Sequence, residues 1–363
     1  MRAFACPHCS SLIFFQNSVC VTCNSALGFD RAAATFVRLE PTPAGVLGHR
    51  SATGVPGYVC ANLDLAGCNW LAGSPGGLCD CCSLTRTRPA DSDAEALLAF
   101  ARTERAKRRL LFQLDGLGLP TTPRSVDPAH GLAFDLLSSS DTKVITGHED
   151  GVITIDLAEG DDPHREALRT SLGEPYRTLL GHLRHEIGHW YFDVFIDGGP
   201  ALEPFRALFG DERRDYGEAL AQHYGGPRTD AWRATHVSDY AASHPWEDWA
   251  EVFAHYLHLT DTLQTSYAYG LDFTGPRVEL SDTPAGSLVQ STAASMSTSP
   301  KPSYASFDDM LNAWLSLTFA LNAVNRSMGS DDLYPFVLVP AVIEKLRFVH
   351  DVISAGPPAA RDH

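Results

Sequence analysis

The chain has 363 residues, enough for a large core and two or three domains, and its 44% hydrophobic content is that of an ordinary globular protein. A formal net charge of -16 argues against sequence-independent binding to nucleic acid and against an anionic membrane surface. No apolar run of about eighteen residues occurs, and Met1-Arg2-Ala3-Phe4-Ala5-Cys6 does not read as a signal peptide, so a cytoplasmic protein is expected.

The first motif is Cys6-Pro7-His8-Cys9 followed by Cys20-Val21-Thr22-Cys23. Each Cys-x-x-Cys knuckle supplies two thiolates from a tight turn, and two knuckles close a tetrahedral zinc site with no open position. Such a site is structural: its metal contributes roughly 10–16 kcal/mol of apparent binding energy to the folding of a small unit. Leu12-Ile13-Phe14-Phe15, between the knuckles, reads as a short strand. A second set is looser. Cys79 and Cys82 form another pair, and Cys60 and Cys68 could complete four ligands, with Cys81 either left over or replacing a neighbour. All nine cysteines lie within the first 82 residues, as local metal sites require; a disulfide scaffold would extend through the chain.

From Ala90 to Gly118 the pattern predicts a long helix that joins the cysteine-rich region to the rest of the chain, with the basic run Arg105 to Arg109 on a solvated face. Lys143–His148 and Gly151–Asp156 read as two strands around a Glu-Asp-Gly turn, with His148 a turn residue. An extended substrate could pair with one of them.

Glu174 to Asp193 reads as a helix with Pro175 near its start and Leu179, Leu180, Leu183, Ile187 and Trp190 at helical spacing. It carries His185-Glu186-Ile187-Gly188-His189. Histidines at i and i+4 share one helical face and can hold one metal ion, and Glu186 is placed to act on a bound water. Zinc lowers the pKa of such a water to roughly 7, and a carboxylate can then take its proton during attack on a carbonyl. Gly188 costs about 0.8–1 kcal/mol relative to alanine in mid-helix, which implies close packing or access for substrate. His182, on the same face, is expected to be supporting or solvent-facing.

A catalytic zinc takes three protein ligands and leaves one position open. Phe209 to Tyr224 reads as a further helix, ended by Gly225-Gly226-Pro227, with Glu218 and His223 as replacement ligands. The stronger candidates lie after Ser243-His244-Pro245, which resembles a helix start and puts Glu247 and Glu251 on one face; His255 and His258 rank below them. Trp246, Trp249, Phe253 and Tyr256 imply a largely buried helix, and a buried carboxylate needs a partner. Either glutamate could be the ligand, the other orienting a ligating histidine. Residues 281–303, rich in Ser, Thr, Ala and Pro, are expected to be a flexible loop. Ordered structure is expected to resume at Phe307, with an amphipathic helix through Met310 to Arg326 and a final helix to about Ile353. Arg326 could bind substrate or form an internal salt bridge.

The histidine motif with a downstream Glu-x-x-x-Glu helix resembles the gluzincin zinc metallopeptidases, and within them the lethal-factor-like enzymes. That resemblance implies Glu247 as third zinc ligand, Glu251 as its support and Tyr240 as oxyanion donor. Thr146-Gly147-His148, the 185–189 helix, His244 to Glu251 and Asn325-Arg326-Ser327-Met328-Gly329 resemble a bacterial family of zinc-binding metallopeptidases with an amino-terminal zinc ribbon. This likeness extends over most of the chain and implies a second structural zinc on Cys60, Cys68, Cys79 and Cys82.

The expectation is an α+β protein: a zinc ribbon (1–40), a second cysteine-rich region (41–89), a linking helix (90–120), a mainly helical zincin-like catalytic domain with a small β hairpin or sheet (121–280), a flexible loop (281–305) and a C-terminal helical part (306–363). The expected activity is zinc-dependent hydrolysis of peptide bonds in a peptide or protein substrate, with one catalytic and one or two structural zinc ions. The ribbon would engage a protein partner rather than nucleic acid or membrane. The alternatives are a non-catalytic adaptor or peptide-binding module with the same core, and hydrolysis of a non-peptide amide.

Overall fold

The computed structural model describes residues 2–43, 45–50, 54–139, 143–161, 165, 177–226, 229–271 and 304–358. The chain divides into two compact units, one of Ala3–Leu202 with Gly356–His363 and one of Met1–Arg2 with Glu203–Ala355. The fold is α+β, with a zinc-ribbon region at its N-terminus.

In the first unit, β1 (Phe4–Ala5) pairs antiparallel with β2 (Leu12–Ile13), so the expected strand is present but shorter. Each knuckle closes on its own backbone: Ser10 N–H donates to Cys6 O and Asn24 N–H to Cys20 O. Ser10 and Asn24 take φ of 60° and 56°, which lets the chain double back around the sulfurs. β3 (Leu27–Asp30) and β4 (Thr35–Arg38) form a second antiparallel pair. β5 (Glu40–Pro41), β6 (Leu47–Arg50), β7 (Pro56–Val59) and β8 (Leu71–Ala72) form a four-stranded antiparallel sheet, with the single-turn α1 (Leu63–Ala66) between the last two. β9 (Thr85–Thr87) then leads into α2 (Ala94–Leu117), capped by the Asp93 side chain at its start and by Gly118 (φ 74°) at its end.

α2 is bound into the cysteine-rich region by an aromatic cluster. The ring centroid of Phe112 lies 4.6 Å from Phe15 and 5.6 Å from Phe29, and Phe29 lies 5.5 Å from Trp70. The expected solvated face for Arg105 to Arg109 is corrected here. Arg105 is exposed, but Lys107 and Arg108 are buried. Lys107 Nζ donates to Glu104 Oε1 at 2.6 Å, and Arg108 Nη2 to Ala66 O at 2.8 Å. A basic run reads as solvated in sequence; Lys107 has Glu104 one turn away on its own helix, but its burial, and the Ala66 partner of Arg108, come only with packing.

A mixed sheet of order β11-β12-β10-β9 completes the β structure of this unit. β10 (Ala133–Leu137) runs parallel to both β12 (Val152–Asp156) and β9, and its burial on both faces suits a central parallel strand. β11 (Gly147–Glu149) is antiparallel to β12. The expected strand from Lys143 is therefore shortened, and His148 lies in it rather than in the turn. The two-residue loop Asp150-Gly151 has φ of 46° and 80°, the left-handed pair that closes a twisted hairpin. A side chain at Gly151 would meet the carbonyl oxygens of Gly131 at 2.5 Å and His130 at 2.8 Å.

α3 (Leu179–Phe195) carries the histidine motif. Thr178 caps it by accepting from Gly181 N–H; Glu174 and Pro175, expected at its start, lie outside the described residues. Leu183, Ile187 and Tyr191 are buried. Three polar ties fix the helix: Arg184 Nε to Gln113 Oε1 at 3.1 Å, Trp190 Nε1 to His130 O at 2.9 Å, and Tyr191 Oη to Pro120 O at 2.8 Å.

The second unit is helical in its described residues: α4 (Leu202–Phe209), α5 (Tyr216–Gly225), α6 (Pro245–Ala268), α7 (Phe307–Ser327) and α8 (Pro340–Ala355), with short 3-10 turns at Asp230–Ala234 and Tyr240–Ala242. The helix expected over Phe209 to Tyr224 begins only at Tyr216, because Phe209 ends α4 and Gly210 at φ 103° turns the chain away from it. A side chain there would also approach Pro245 Cγ at 3.3 Å. α6 is the core element, as its aromatic content predicts: Trp249, Phe253 and Leu257 are fully buried, and the Phe209 ring packs 6.0 Å from Trp249. α7 begins at Phe307 as expected, whereas the loop expected over 281–303 lies outside the described residues. No described helix is long and apolar enough to cross a membrane.

Lys345 of α8 holds Asp248 of α6 at 2.5 Å, both side chains buried. Removing one partner of such a pair strands the other charge out of water, at a cost of about 3–5 kcal/mol. Lys345→Met is expected to lower stability by that amount, while Lys345→Met with Asp248→Leu recovers much of it; chemical denaturation of the three proteins checks both.

Candidate metal centres

Two groups of four cysteines bring their sulfurs within 4.8 Å of one another: Cys6, Cys9, Cys20 and Cys23, and Cys60, Cys68, Cys79 and Cys82. Thiolates bound at about 2.3 Å to a tetrahedral ion lie about 3.8 Å apart. Cys6 and Cys23 are 3.7 Å apart, Cys9 and Cys20 3.7 Å, and Cys68 and Cys79 3.6 Å. Both groups therefore fit zinc in closed, structural sites.

At two positions of the first site polar neighbours favour the thiolate. Hydrogen bonding from the Ser25 hydroxyl and backbone holds Cys23 down to about 6, and Ser11 lowers Cys9 in the same way. At the second site Cys79 N–H lies 3.4 Å from Cys60 Sγ, and Cys82 N–H 3.4 Å from Cys79 Sγ. Burial pushes the Cys81 thiol upward, and Cys81 stands outside the four-sulfur group. The four preferred positions are thus the ones that meet.

On α3, His185 and His189 turn toward each other with Nε2 atoms 3.1 Å apart and ring planes at 83°. Two nitrogens bound at 2.0–2.1 Å to a tetrahedral ion lie about 3.3 Å apart, so the pair fits one divalent ion. Glu186, between them in sequence, is 8% exposed. His182 Nδ1 lies 3.5 Å from Glu159 Oε2, which gives it a supporting position rather than a third imidazole in the pair. The side chain of His148 is buried; burial and, secondarily, the charge of His189 push its pKa down to about 4, so it stays neutral. Its Nε2 accepts from Gly151 N–H at 3.1 Å, a turn-stabilising role.

The start of α6 is built as its sequence suggests. His244 is the N-cap: its Nδ1 accepts from Trp246 N–H at 3.1 Å, and Pro245 occupies the first turn, where no backbone N–H is needed. The same tautomer lets Nε2–H donate to Arg214 O at 3.1 Å. That bond anchors the segment before α5, and Tyr216 lies there. Tyr216 packs edge-on against His244 and Trp246, with centroids 5.4 and 6.0 Å away, and its hydroxyl donates to Glu247 Oε1 at 2.8 Å. Glu247 is 1% exposed.

One turn further, Glu251 accepts from Ser238 Oγ at 2.7 Å. Tyr240 sits in the 3-10 turn just before the cap, half-buried; its neighbours Asp239 and Ala242, with Trp232 and His236, line a hollow of about 490 Å³. His223 pairs with Asp239 at 3.5 Å, and Glu218 is exposed on α5. His255 Nδ1 is 2.5 Å from Tyr334 Oη, with the His258 ring 6.0 Å away. Arg326 forms a two-point pair with Asp332 at 2.5 and 2.6 Å on the surface, the salt bridge considered for it. Sequence reasoning did not reach Tyr216, which lies 31 residues before Glu247 and belongs to no motif. The capping geometry of His244 was the available signal, since a histidine N-cap has a second nitrogen to spend.

The ribbon and the two cysteine sites are those of a zinc-binding protein. Residues 3–93 match a zinc-ribbon domain, and residues 96–352 match the family described as "Putative zinc-binding metallo-peptidase", to which this chain belongs. It is 47% identical, over 99% of its own length and 97% of theirs, to proteins of Mycobacterium bovis and of two strains of Mycobacterium tuberculosis, each called an "Uncharacterized protein". No solved structure matches the chain.

Metal content tests the cysteine sites. Cys60→Ser and Cys6→Ser are each expected to lose one zinc per chain, whereas Cys81→Ser keeps the wild-type number. Elemental analysis of the purified proteins reads all three.

Proposed function

We propose that the protein is a zinc-dependent peptidase of the gluzincin type, acting in the cytoplasm on a peptide or protein substrate. His185, His189 and Glu247 would hold the catalytic ion, beside two structural zinc ions on the eight cysteines. The observation that carries the reading is the imidazole pair, with Nε2 atoms 3.1 Å apart and a buried carboxylate, Glu186, next to the first of them. Membership of a metallopeptidase family agrees with it.

When bound, zinc supplies Lewis-acid chemistry: it polarises a carbonyl and makes a water acidic. Glu186, held on the rigid α3, takes the proton from the attacking water and passes it to the leaving nitrogen. Tyr240 donates a hydrogen bond to the oxygen that gains charge, and Glu251 supports the ligand set. β11 packs on α3 in the same unit and is the edge of its sheet among the described residues, so an extended substrate pairs with it as an added strand. The hollow lined by Trp232, His236, Asp239 and Ala242 gives a substrate side chain room. Leu12, Phe14 and Val21, exposed around the first zinc knuckles, suit contact with a protein partner.

Cleavage of an unbiased peptide library separates this reading from a non-catalytic adaptor. Glu186→Gln is expected to abolish turnover with all three zinc ions retained. Tyr240→Phe should lower kcat by about 10²–10³-fold, the usual loss for one oxyanion donor. A wild-type protein that carries three zinc ions and binds peptides without cutting any would instead identify a binding module.

A further inference from the structure

The role of the Tyr216–Glu247 contact rests on the reading in which Glu247 is a zinc ligand. A carboxylate with 1% exposure has lost nearly all of its water, and each of its oxygens needs a donor or a cation. Tyr216 Oη meets Oε1 at 2.8 Å, a hydrogen bond to an ionised acceptor and therefore stronger than a neutral one. The tyrosine is itself held: its ring lies edge-on to His244 and Trp246, and His244 Nε2–H ties down the Arg214 carbonyl two residues before it. His244 also caps α6, so a single side chain fixes both the start of the helix that carries Glu247 and the segment that carries Tyr216.

We infer that Tyr216 is a positioning residue of the catalytic metal site: its hydroxyl occupies Oε1 of Glu247, fixes the rotamer of that carboxylate, and leaves the other oxygen to face the ion. The donor acts through Glu247 and not on substrate. Hydrogen-bond partners behind metal ligands typically change metal affinity by 10–100-fold when removed. At 39% exposure, Tyr216 can lose its hydroxyl without leaving a hole in the core.

The test uses the full-length, zinc-loaded protein titrated with a competing chelator, following release of the most weakly held ion. Tyr216→Phe is expected to weaken that ion about 10–100-fold, while the four-cysteine zinc ions and the melting temperature stay at wild-type values. Glu247→Gln is expected to lose the weak ion outright, and adding Tyr216→Phe to it should change nothing further. Wild-type affinity in Tyr216→Phe, together with loss of the ion in Glu247→Gln, overturns this inference alone. Loss of all three ions or a large fall in melting temperature in Tyr216→Phe also overturns it, because the tyrosine is then a general structural support. Retention of three ions by Glu247→Gln overturns the ligand assignment itself, and the role of Tyr216 with it.

Discussion

Glu104, Asp248 and Glu247 are carboxylates removed from water, and the cost of keeping a charge there shapes everything around them. Lys107 answers Glu104, Lys345 answers Asp248, and a tyrosine hydroxyl reaches Glu247. The cysteine groups pose the same problem at higher charge. Four thiolates around a divalent ion carry a net excess of negative charge, and the second group is wholly buried. Lys107 and Arg108 lie close enough for their positive charges to bear on its cysteines, and Arg108 also grips the carbonyls just before Cys68. A chain with a net charge of -16 has few cations to spare, and the fold commits several of them to its interior.

That commitment explains why α2 is more than a linker. Its aromatic side enters the ribbon core through Phe112, and its buried charges balance the second cysteine group. Arg184 of α3, one residue before the histidine motif, bonds to Gln113 of the same helix. The zinc-ribbon region and the histidine helix are therefore packed into one unit, and metal held by the cysteines would stabilise the platform on which His185 and His189 are presented. The β structure contributes similarly: β9 leaves the cysteine-rich region and pairs with β10, so the mixed sheet is built from both parts of the chain.

In the other unit the decisive group is a cap. His244 satisfies a backbone donor at the start of α6 with one nitrogen and fastens the approach to α5 with the other. A histidine cap is weaker than serine or aspartate at the first task alone. Its second bond explains its presence, because it places a tyrosine over the buried carboxylate in the first turn of the helix.

The local chemistry was legible in the sequence. Cys-x-x-Cys spacing, the i and i+4 histidines, the Ser243-His244-Pro245 helix start and the aromatic stripe of α6 depend on neighbours within a few residues, and backbone geometry turns them directly into sites. Tertiary packing alone decided the rest. The burial of Lys107 beside Thr85, the grip of Arg108 on the Ala66 carbonyl and the meeting of Tyr216 with Glu247 all arise from partners distant in the chain. A charge or a hydroxyl carries no mark in the sequence of whether water or another side chain will satisfy it, because that depends on which surfaces folding removes from solvent.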